Sequence, residues 1–414
     1  MNKIVKNLYN NYNQWIIFGF YLLLILGFFL NLDPNSGAYL DYQIHKKISQ
    51  DFSLNFFSTL INYDQESTRH SPVLLIVFSF FEKLNFQDVY IRIIGLHFCL
   101  FLPFIFYKII NLKFNEFNKK KKFFLASLIF ISPTFISLSI WPDSRIYGLI
   151  FFSLSIFYFL RFEIENKFSD AIKCTLTYIL SAYISLNFSL FAIFFILKFL
   201  IFYRLNKKFF YLIILNILLA LPALYYTFYL DNIFFLKSGI AGKEFDLSES
   251  LNYSNKILII PTIIFFYLLP FYFSKVILFK NLNVKYFIIS LIIVFICSLF
   301  FNYSEDFSGG GIFFKALRLL FENNYIFFLI SFISIYSILE LCRNKPFNIL
   351  IIFLLIISNL QYSIYHKYYD PLLLILFFSI FDIKLKNNIN KINLIYFYSF
   401  GFIFLSLNFL KQLI

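Results

Sequence analysis

The chain has 414 residues, of which 60% are hydrophobic and 14% are charged, and its formal net charge is +14. Soluble globular proteins carry about a quarter charged residues. The composition therefore argues against a water-soluble enzyme, a disordered chain and a nucleic-acid-binding protein. Apolar runs near the length of about 20 residues that a membrane-spanning helix needs fill most of the sequence. These runs predict an all-α, polytopic transmembrane helical bundle.

Basic residues cluster in short connectors between the apolar runs, as the positive-inside rule requires of cytoplasmic segments. The connectors are Lys119–Lys122, Arg161–Lys173, Arg204–Lys208, Lys275–Lys285, Arg343–Lys345 and Lys384–Lys391. Placing them and the N-terminus in the cytoplasm demands an odd number of spans, and we predict about 13. The predicted spans are 15–32, 89–111, 123–140, 146–160, 171–186, 188–203, 209–229, 258–274, 286–302, 323–341, 347–365, 371–383 and 392–410.

This topology creates a large outer loop at 33–88. Within it, Ser71–Leu84 is apolar but short for a span. If that segment crossed the membrane, the Lys119–Lys122 run would fall on the outer side, against the charge rule. We therefore predict an interfacial helix with Pro72 in its first turn, and a second such helix at 37–52.

Ionisable side chains at a membrane boundary are costly to bury, which makes them the candidates for function. On the predicted outer side they are Asp41, Arg69, His70, Arg92, Asp143, Arg145, His366 and Lys367.

Each candidate also has a structural interpretation. Asp143 follows a proline in a short turn and could cap the next helix. Arg92 and Arg145 could be interfacial anchors whose side chains reach toward lipid headgroups. His366 and Lys367 could do the same. Asp41 could be a solvated loop carboxylate.

Several short motifs occur in order along the chain. They are Asp41-Tyr42-Gln43-Ile44-His45-Lys46-Lys47-Ile48, Arg69-His70-Ser71-Pro72, Val89-Tyr90-Ile91-Arg92, the turn at Asp143 with the following Arg-Ile-Tyr-Gly, and Tyr365-His366-Lys367-Tyr368-Tyr369-Asp370-Pro371-Leu372. Their order resembles the polyprenyl-phosphate-sugar-dependent membrane glycosyltransferases of the GT-C fold, which include aminoarabinose transferases and protein O-mannosyltransferases. The resemblance covers residues 1–165 well and 360–383 more loosely. Many members carry two adjacent acidic residues where this chain has Asp41-Tyr42.

The resemblance implies a GT-C-like catalytic half at 1–165 and variable transmembrane helices at 166–414 that form the groove for the lipid donor. It implies transfer of a sugar from a polyprenyl phosphate to a glycolipid, glycan or protein acceptor on the outer face. Asp41 would be the catalytic base and Asp143 the second acidic residue. The phosphate-binding candidates are Arg69, His70, Arg92, Arg145, His366 and Lys367. Whether Asp41 and Asp143 also hold a divalent metal ion is left open.

Two other functions remain open. An O-antigen ligase or polymerase would use similar donors, and a lipid-linked oligosaccharide flippase or other transporter would share the hydropathy. A transporter is expected to place ionisable groups or helix breaks at mid-membrane, whereas here the polar groups gather toward one face. The expected location is a bacterial inner membrane with a cytoplasmic N-terminus; the partners are the bilayer, the lipid-linked donor and the acceptor, with no nucleic acid.

Overall fold

A computed structural model describes residues 12–35, 37–66, 68, 70–232, 252–277, 283–304, 309–359, 361–383 and 392–413. Every regular element within these ranges is helical, which confirms the predicted all-α class. The α-helices are α1 (Tyr12–Phe29), α2 (Ala38–Leu54), α3 (Phe56–Ile61), α4 (Pro72–Lys83), α5 (Asp88–Cys99), α6 (Phe101–Lys113), α7 (Lys119–Ser127), α8 (Pro133–Ile140), α9 (Ser144–Glu165), α10 (Phe168–Ile184), α11 (Ala192–Tyr203), α12 (Lys207–Leu224), α13 (Tyr253–Phe273), α14 (Val284–Leu299), α15 (Gly311–Leu320), α16 (Tyr325–Leu341), α17 (Pro346–Ile357), α18 (Leu372–Phe377) and α19 (Leu394–Leu413).

Several helical segments are long and apolar enough to cross a membrane. Within the described residues they are Asp88–Lys113, Ser144–Glu165, Leu186–Tyr203, Lys207–Tyr229 and Tyr253–Phe273, and a bent pair formed by Lys119–Ile131 and Pro133–Ile140 makes up to 6. Shorter apolar helices of 10–17 residues accompany them. The chain therefore has the character of a helical membrane protein, but the predicted number of about 13 spans is not confirmed.

The bent pair departs from the single straight span predicted at 123–140. The helix axis bends by 63° between the two segments. Ser132 ends one segment and caps the next, where its side chain accepts a hydrogen bond from the backbone N–H of Phe135, and Pro133 occupies the first helical position. Because proline lacks an N–H and clashes with the preceding turn, a bend at this point is expected.

The last two predicted spans before the C-terminal helix also differ from the structure. In place of 347–365 and 371–383, α17 ends at Ile357 and α18 has only six residues. A 12-residue helix is about 18 Å long, well short of the hydrocarbon thickness of about 30 Å. Between these two helices, the described residues 358, 359 and 361–371 are irregular apart from one turn of 3₁₀ helix at His366–Tyr368. This loop carries His366 and Lys367.

The two interfacial helices predicted in the first loop exist as helices. The prediction at 37–52 corresponds to α2, and the prediction at Ser71–Leu84 corresponds to α4, with Pro72 at its start and Ser71 as its cap. The two helices pack against each other.

Two basic residues of the predicted inner connectors, Lys113 and Lys345, lie at one end of the bundle. The continuous helical segment Asp88–Lys113 is about 39 Å long. At its start, Asp88 accepts a hydrogen bond from the Tyr42 hydroxyl of α2 at 2.7 Å. At its far end, the Lys113 ammonium donates to the carbonyl of Phe381 at 3.3 Å, next to the ion pair of Lys345 with Asp382. Lys113 and Lys345 therefore lie at the end opposite α2. The N-terminal basic residues and the connector at 384–391 lie outside the described residues.

Candidate functional site

Asp143 and Arg145 form a closed unit at the start of α9. Asp143 is the N-cap, and one of its carboxylate oxygens accepts hydrogen bonds from both the backbone N–H and the Nε of Arg145 at 2.8 Å. The other oxygen accepts from Nη2 of Arg145 at 2.7 Å. The capping interpretation of Asp143 is therefore confirmed. The Arg145 side chain folds back onto the same carboxylate that caps its helix.

Two distant segments join this unit. Nη2 of Arg145 also donates to the Asp41 carboxylate in α2 at 2.6 Å. The Lys367 ammonium, from the loop between α17 and α18, lies 3.4 Å from the same Asp41 oxygen. Four predicted site residues from three separate parts of the chain thus meet at one place. We call Asp41, Asp143, Arg145 and Lys367 the charge cluster.

The two carboxylates of the charge cluster differ in access. The side chain of Asp41 is 31% exposed, whereas that of Asp143 is 1% exposed. Burial alone raises the pKa of Asp41, but the charges of Lys367 and Arg145 outweigh burial and hold this pKa below its ordinary value. For Asp143, burial also raises the pKa, but the charge and hydrogen bonds of Arg145 outweigh burial and hold this pKa well below the ordinary range. Both groups are therefore carboxylates at neutral pH, and Asp41 is the one a solute can reach.

Two histidines lie beside the charge cluster. Nδ1 of His70 is 2.6 Å from the hydroxyl of Ser144, and its Nε2 is 3.9 Å from Asp143. His45, one helical turn after Asp41 in α2, packs edge-on against the His70 ring at 4.5 Å. Burial lowers the pKa of both imidazoles, that of His70 to about 3, so both are neutral at pH 7.

The structure favours one set of ligands for a divalent metal ion over the predicted pair Asp41 and Asp143. Between Asp41 and Asp143, the guanidinium of Arg145 already occupies the position that a bridging ion would need. A different set fits better, because one ligand atom each of His45, His70 and Asp143 lie within 4.8 Å of one another.

A pocket that opens to solvent adjoins the charge cluster. Arg145 and Lys367 line it together with polar side chains that include Ser185, Asn187 and Asn359. The pocket is open to solvent, so a solute that enters it meets both cations.

Arg92 does not join the charge cluster. Its Nε donates to the carbonyl of Ile140 at 3.1 Å, and its Nη2 donates to the side chain of Asn31 at 3.0 Å. The guanidinium also stacks on the ring of Trp141, 3.6 Å from its centroid. These contacts hold the end of α8 against α5, so the structure favours a packing role over the predicted phosphate contact.

We expect Arg92→Met to lower the free energy of unfolding by at least about 2 kcal/mol, because it removes two hydrogen bonds from a charged donor and a buried cation–π contact. Thermal unfolding of the purified protein in detergent measures this loss. Donor binding by the molecules that remain folded should be unchanged. A variant of unaltered stability with weakened donor binding would instead support the phosphate contact.

His366 also lies away from the charge cluster. Its ring packs against Phe404 at 4.4 Å and near Phe266 and Tyr267. Both ring nitrogens are buried and have no hydrogen-bond partner among the described residues. Burial lowers the pKa of His366 to about 3.

This burial predicts a pH dependence of stability. The unfolded imidazole titrates near pH 6.5 and the folded one near 3, so the unfolded state binds more protons between these values. The contribution of His366 is therefore fully present above about pH 6.5 and is lost, by at most about 1.4 kcal/mol per pH unit, as the pH falls. We expect His366→Leu to make the fall of unfolding free energy below pH 6.5 shallower, as measured by thermal unfolding across pH. His97→Gln should keep the wild-type slope; equal slopes for His366→Leu and wild type would contradict the assignment.

Arg69 lies outside the described residues. Three residues that adjoin the charge cluster were not predicted as site residues, namely His45, Ser144 and Tyr368. His45 is spaced four residues from Asp41, which places both side chains on one helix face, and this spacing was the available signal. The ring of Tyr368 faces the Arg145 guanidinium, whose Cζ is 5.6 Å from the ring centroid. This contact comes from a distant loop, so no local sequence pattern predicts it.

No family model, curated protein or solved structure matches the chain.

Proposed function

We propose that the protein is an integral membrane glycosyltransferase that moves a sugar from a polyprenyl-phosphate donor to a hydroxyl acceptor. The observation that carries this proposal is the charge cluster, in which an accessible carboxylate lies beside two cations that line an open pocket. Sugar transfer from a phosphate needs a base for the acceptor and fixed positive charge for the leaving group.

Asp41 is the base in this proposal. The acceptor oxygen attacks the anomeric carbon, its proton passes to the Asp41 carboxylate, and the bond between the anomeric carbon and the phosphate oxygen breaks. The low pKa of Asp41 keeps it ionised before the reaction. Its partial exposure lets an acceptor approach, which the buried Asp143 does not allow.

Arg145 and Lys367 stabilise the departing phosphate. Both line the pocket, and both are anchored by carboxylates that orient them before the donor arrives. A guanidinium presents several N–H donors to an oxyanion, and an ammonium adds a point charge. Such preorganised charges stabilise a leaving phosphate more strongly in a site shielded from water than in bulk water.

The architecture of this proposal is GT-C-like, with about 13 spans and an outer-facing site in a bacterial inner membrane. The position of Lys113 and Lys345 at the end opposite α2 supports that orientation, since basic connectors favour the cytoplasm. Residues 1–165 supply Asp41, Asp143 and Arg145, and 166–414 supply Lys367 together with the lipid groove.

Mass spectrometry of envelope glycolipids, glycans and glycoproteins from cells with and without the gene tests the proposal. We expect one acceptor to lose a single hexose or pentose when the gene is deleted, and the wild-type gene to restore it. Loss of a whole polymer from its carrier would favour a ligase or polymerase. Accumulation of a complete lipid-linked oligosaccharide on the inner leaflet would favour a flippase.

A further inference from the structure

Three side chains that can donate an electron pair to a metal ion converge next to the charge cluster. They belong to His45 of α2, His70 just before α4, and Asp143 at the start of α9. Nδ1 of His45 is buried and has no hydrogen-bond partner in the described part of the chain. A buried polar atom left without a partner costs about 1–3 kcal/mol, so its presence calls for an explanation.

The surroundings of the two imidazoles hold their free nitrogens in place. His70 is tied through Nδ1 to the hydroxyl of Ser144, which leaves Nε2 facing Asp143. His45 is hydrogen-bonded to the carbonyl of Pro142, which leaves Nδ1 free. Histidines that bind metals almost always donate their second ring nitrogen to an oxygen in this way, because that bond selects the tautomer and the ring orientation.

Asp143 retains capacity for one more partner. A carboxylate offers about four lone-pair directions, and Arg145 takes three of them through its backbone N–H, Nε and Nη2. The oxygen that faces Nε2 of His70 at 3.9 Å is the one that can accept more.

We propose that His45, His70 and Asp143 bind one divalent transition-metal ion, with zinc as the best match. Two imidazoles and one carboxylate are a zinc-type ligand set, whereas magnesium and calcium prefer oxygen ligands alone. Zinc binds its ligand atoms at about 2.0–2.1 Å from the ion. The three ligand atoms lie within 4.8 Å of one another, so small side-chain movements would bring all three to that distance from one ion.

The ion would tie α2 and the segment before α4 to the turn that begins α9. Its effect on the charge cluster is one of positioning, since α2 carries Asp41 and the turn carries the cap that holds Arg145. The inference does not depend on glycosyl transfer, because metal binding can be measured without any sugar donor.

The test uses the full chain, purified in detergent, stripped with a chelator, incubated with zinc and freed of excess ion by desalting. We expect elemental analysis to find about one zinc per wild-type chain, and His45→Gln and His70→Gln to lose it. The matched control is His97→Gln, whose ring is bonded to Tyr21 and to the carbonyl of Ile93 elsewhere. It should retain the zinc of the wild type.

Ser144→Ala provides a milder variant that keeps all three ligands. By freeing the His70 ring, it should weaken zinc affinity about 10–100-fold, as measured by competition with a zinc-binding dye. Cobalt in place of zinc should give the visible absorption of a tetrahedral site. Wild-type protein without stoichiometric zinc and without that absorption would overturn the proposal, even if the histidine variants fail to fold. Full zinc content in His45→Gln/His70→Gln would also overturn it.

Discussion

Asp41→Asn is expected to lower sugar transfer by about 10²–10⁴-fold, which is the usual worth of a general base. The substitution preserves size and one hydrogen-bond acceptor but removes the negative charge that takes the proton. Because Asp41 is 31% exposed and Asp143 remains to hold Arg145, the variant should insert and fold normally. Proteoliposomes loaded with donor lipids extracted from the source cells provide the assay.

The matched control is Asp51→Asn, which makes the same chemical change near the other end of α2. It should leave transfer near the wild-type rate. If Asp41→Asn turned over like Asp51→Asn, Asp41 would not be the base, and its contacts with Arg145 and Lys367 would be structural ion pairs.

Arg145→Gln should lower the free energy of unfolding by about 3–5 kcal/mol, because it leaves the buried charge of Asp143 without compensation. Arg145 makes every hydrogen bond to Asp143 that the structure gives within the described residues. The low folded pKa of Asp143 means that its stabilising effect is present above the ordinary pKa of about 3.9 and is lost only as the pH falls through the lower folded value. In Arg145→Gln the burial of Asp143 is no longer offset and raises the pKa of this carboxyl above its ordinary value, so the deficit of the variant should shrink as the pH falls toward that raised pKa.

A double-mutant cycle checks this explanation. Removing both charges in Arg145→Gln/Asp143→Asn should recover part of the stability lost in Arg145→Gln, since no unpaired buried charge remains. Arg145→Lys should fall between wild type and Arg145→Gln, because an ammonium keeps the charge but loses the planar fork. Simple addition of the two single losses in the double variant would contradict the pairing.

Part of this fold could be predicted from the sequence, because its signals are local. Helix α4 begins at Pro72, which was predicted in its first turn, and Asp143 caps α9, which was one of the two interpretations of its position after a proline. These features depend on a few neighbouring residues or on composition.

Other features depend on contacts between distant segments. Arg92 and Arg145 look alike in sequence, each at the predicted outer end of a span, yet Arg92 stacks on Trp141 while Arg145 holds two carboxylates. The predicted span 347–365 continued past Ile357, where α17 ends, although Ser358, Asn359 and Gln361 follow it in the sequence. Tertiary packing decides the first case, whereas these polar residues were a local signal for the second.

Binding of a polyprenyl phosphate to the purified protein tests the central claim most directly, since this lipid is the product common to every donor of the proposed class. By native mass spectrometry we expect wild type and Asp41→Asn to bind it, and Lys367→Met to bind at least about 10-fold more weakly, because an ammonium–phosphate contact is lost. The uncharged polyprenol should not compete. Equal binding by Lys367→Met and wild type, or equal binding of phosphate and alcohol, would contradict the account.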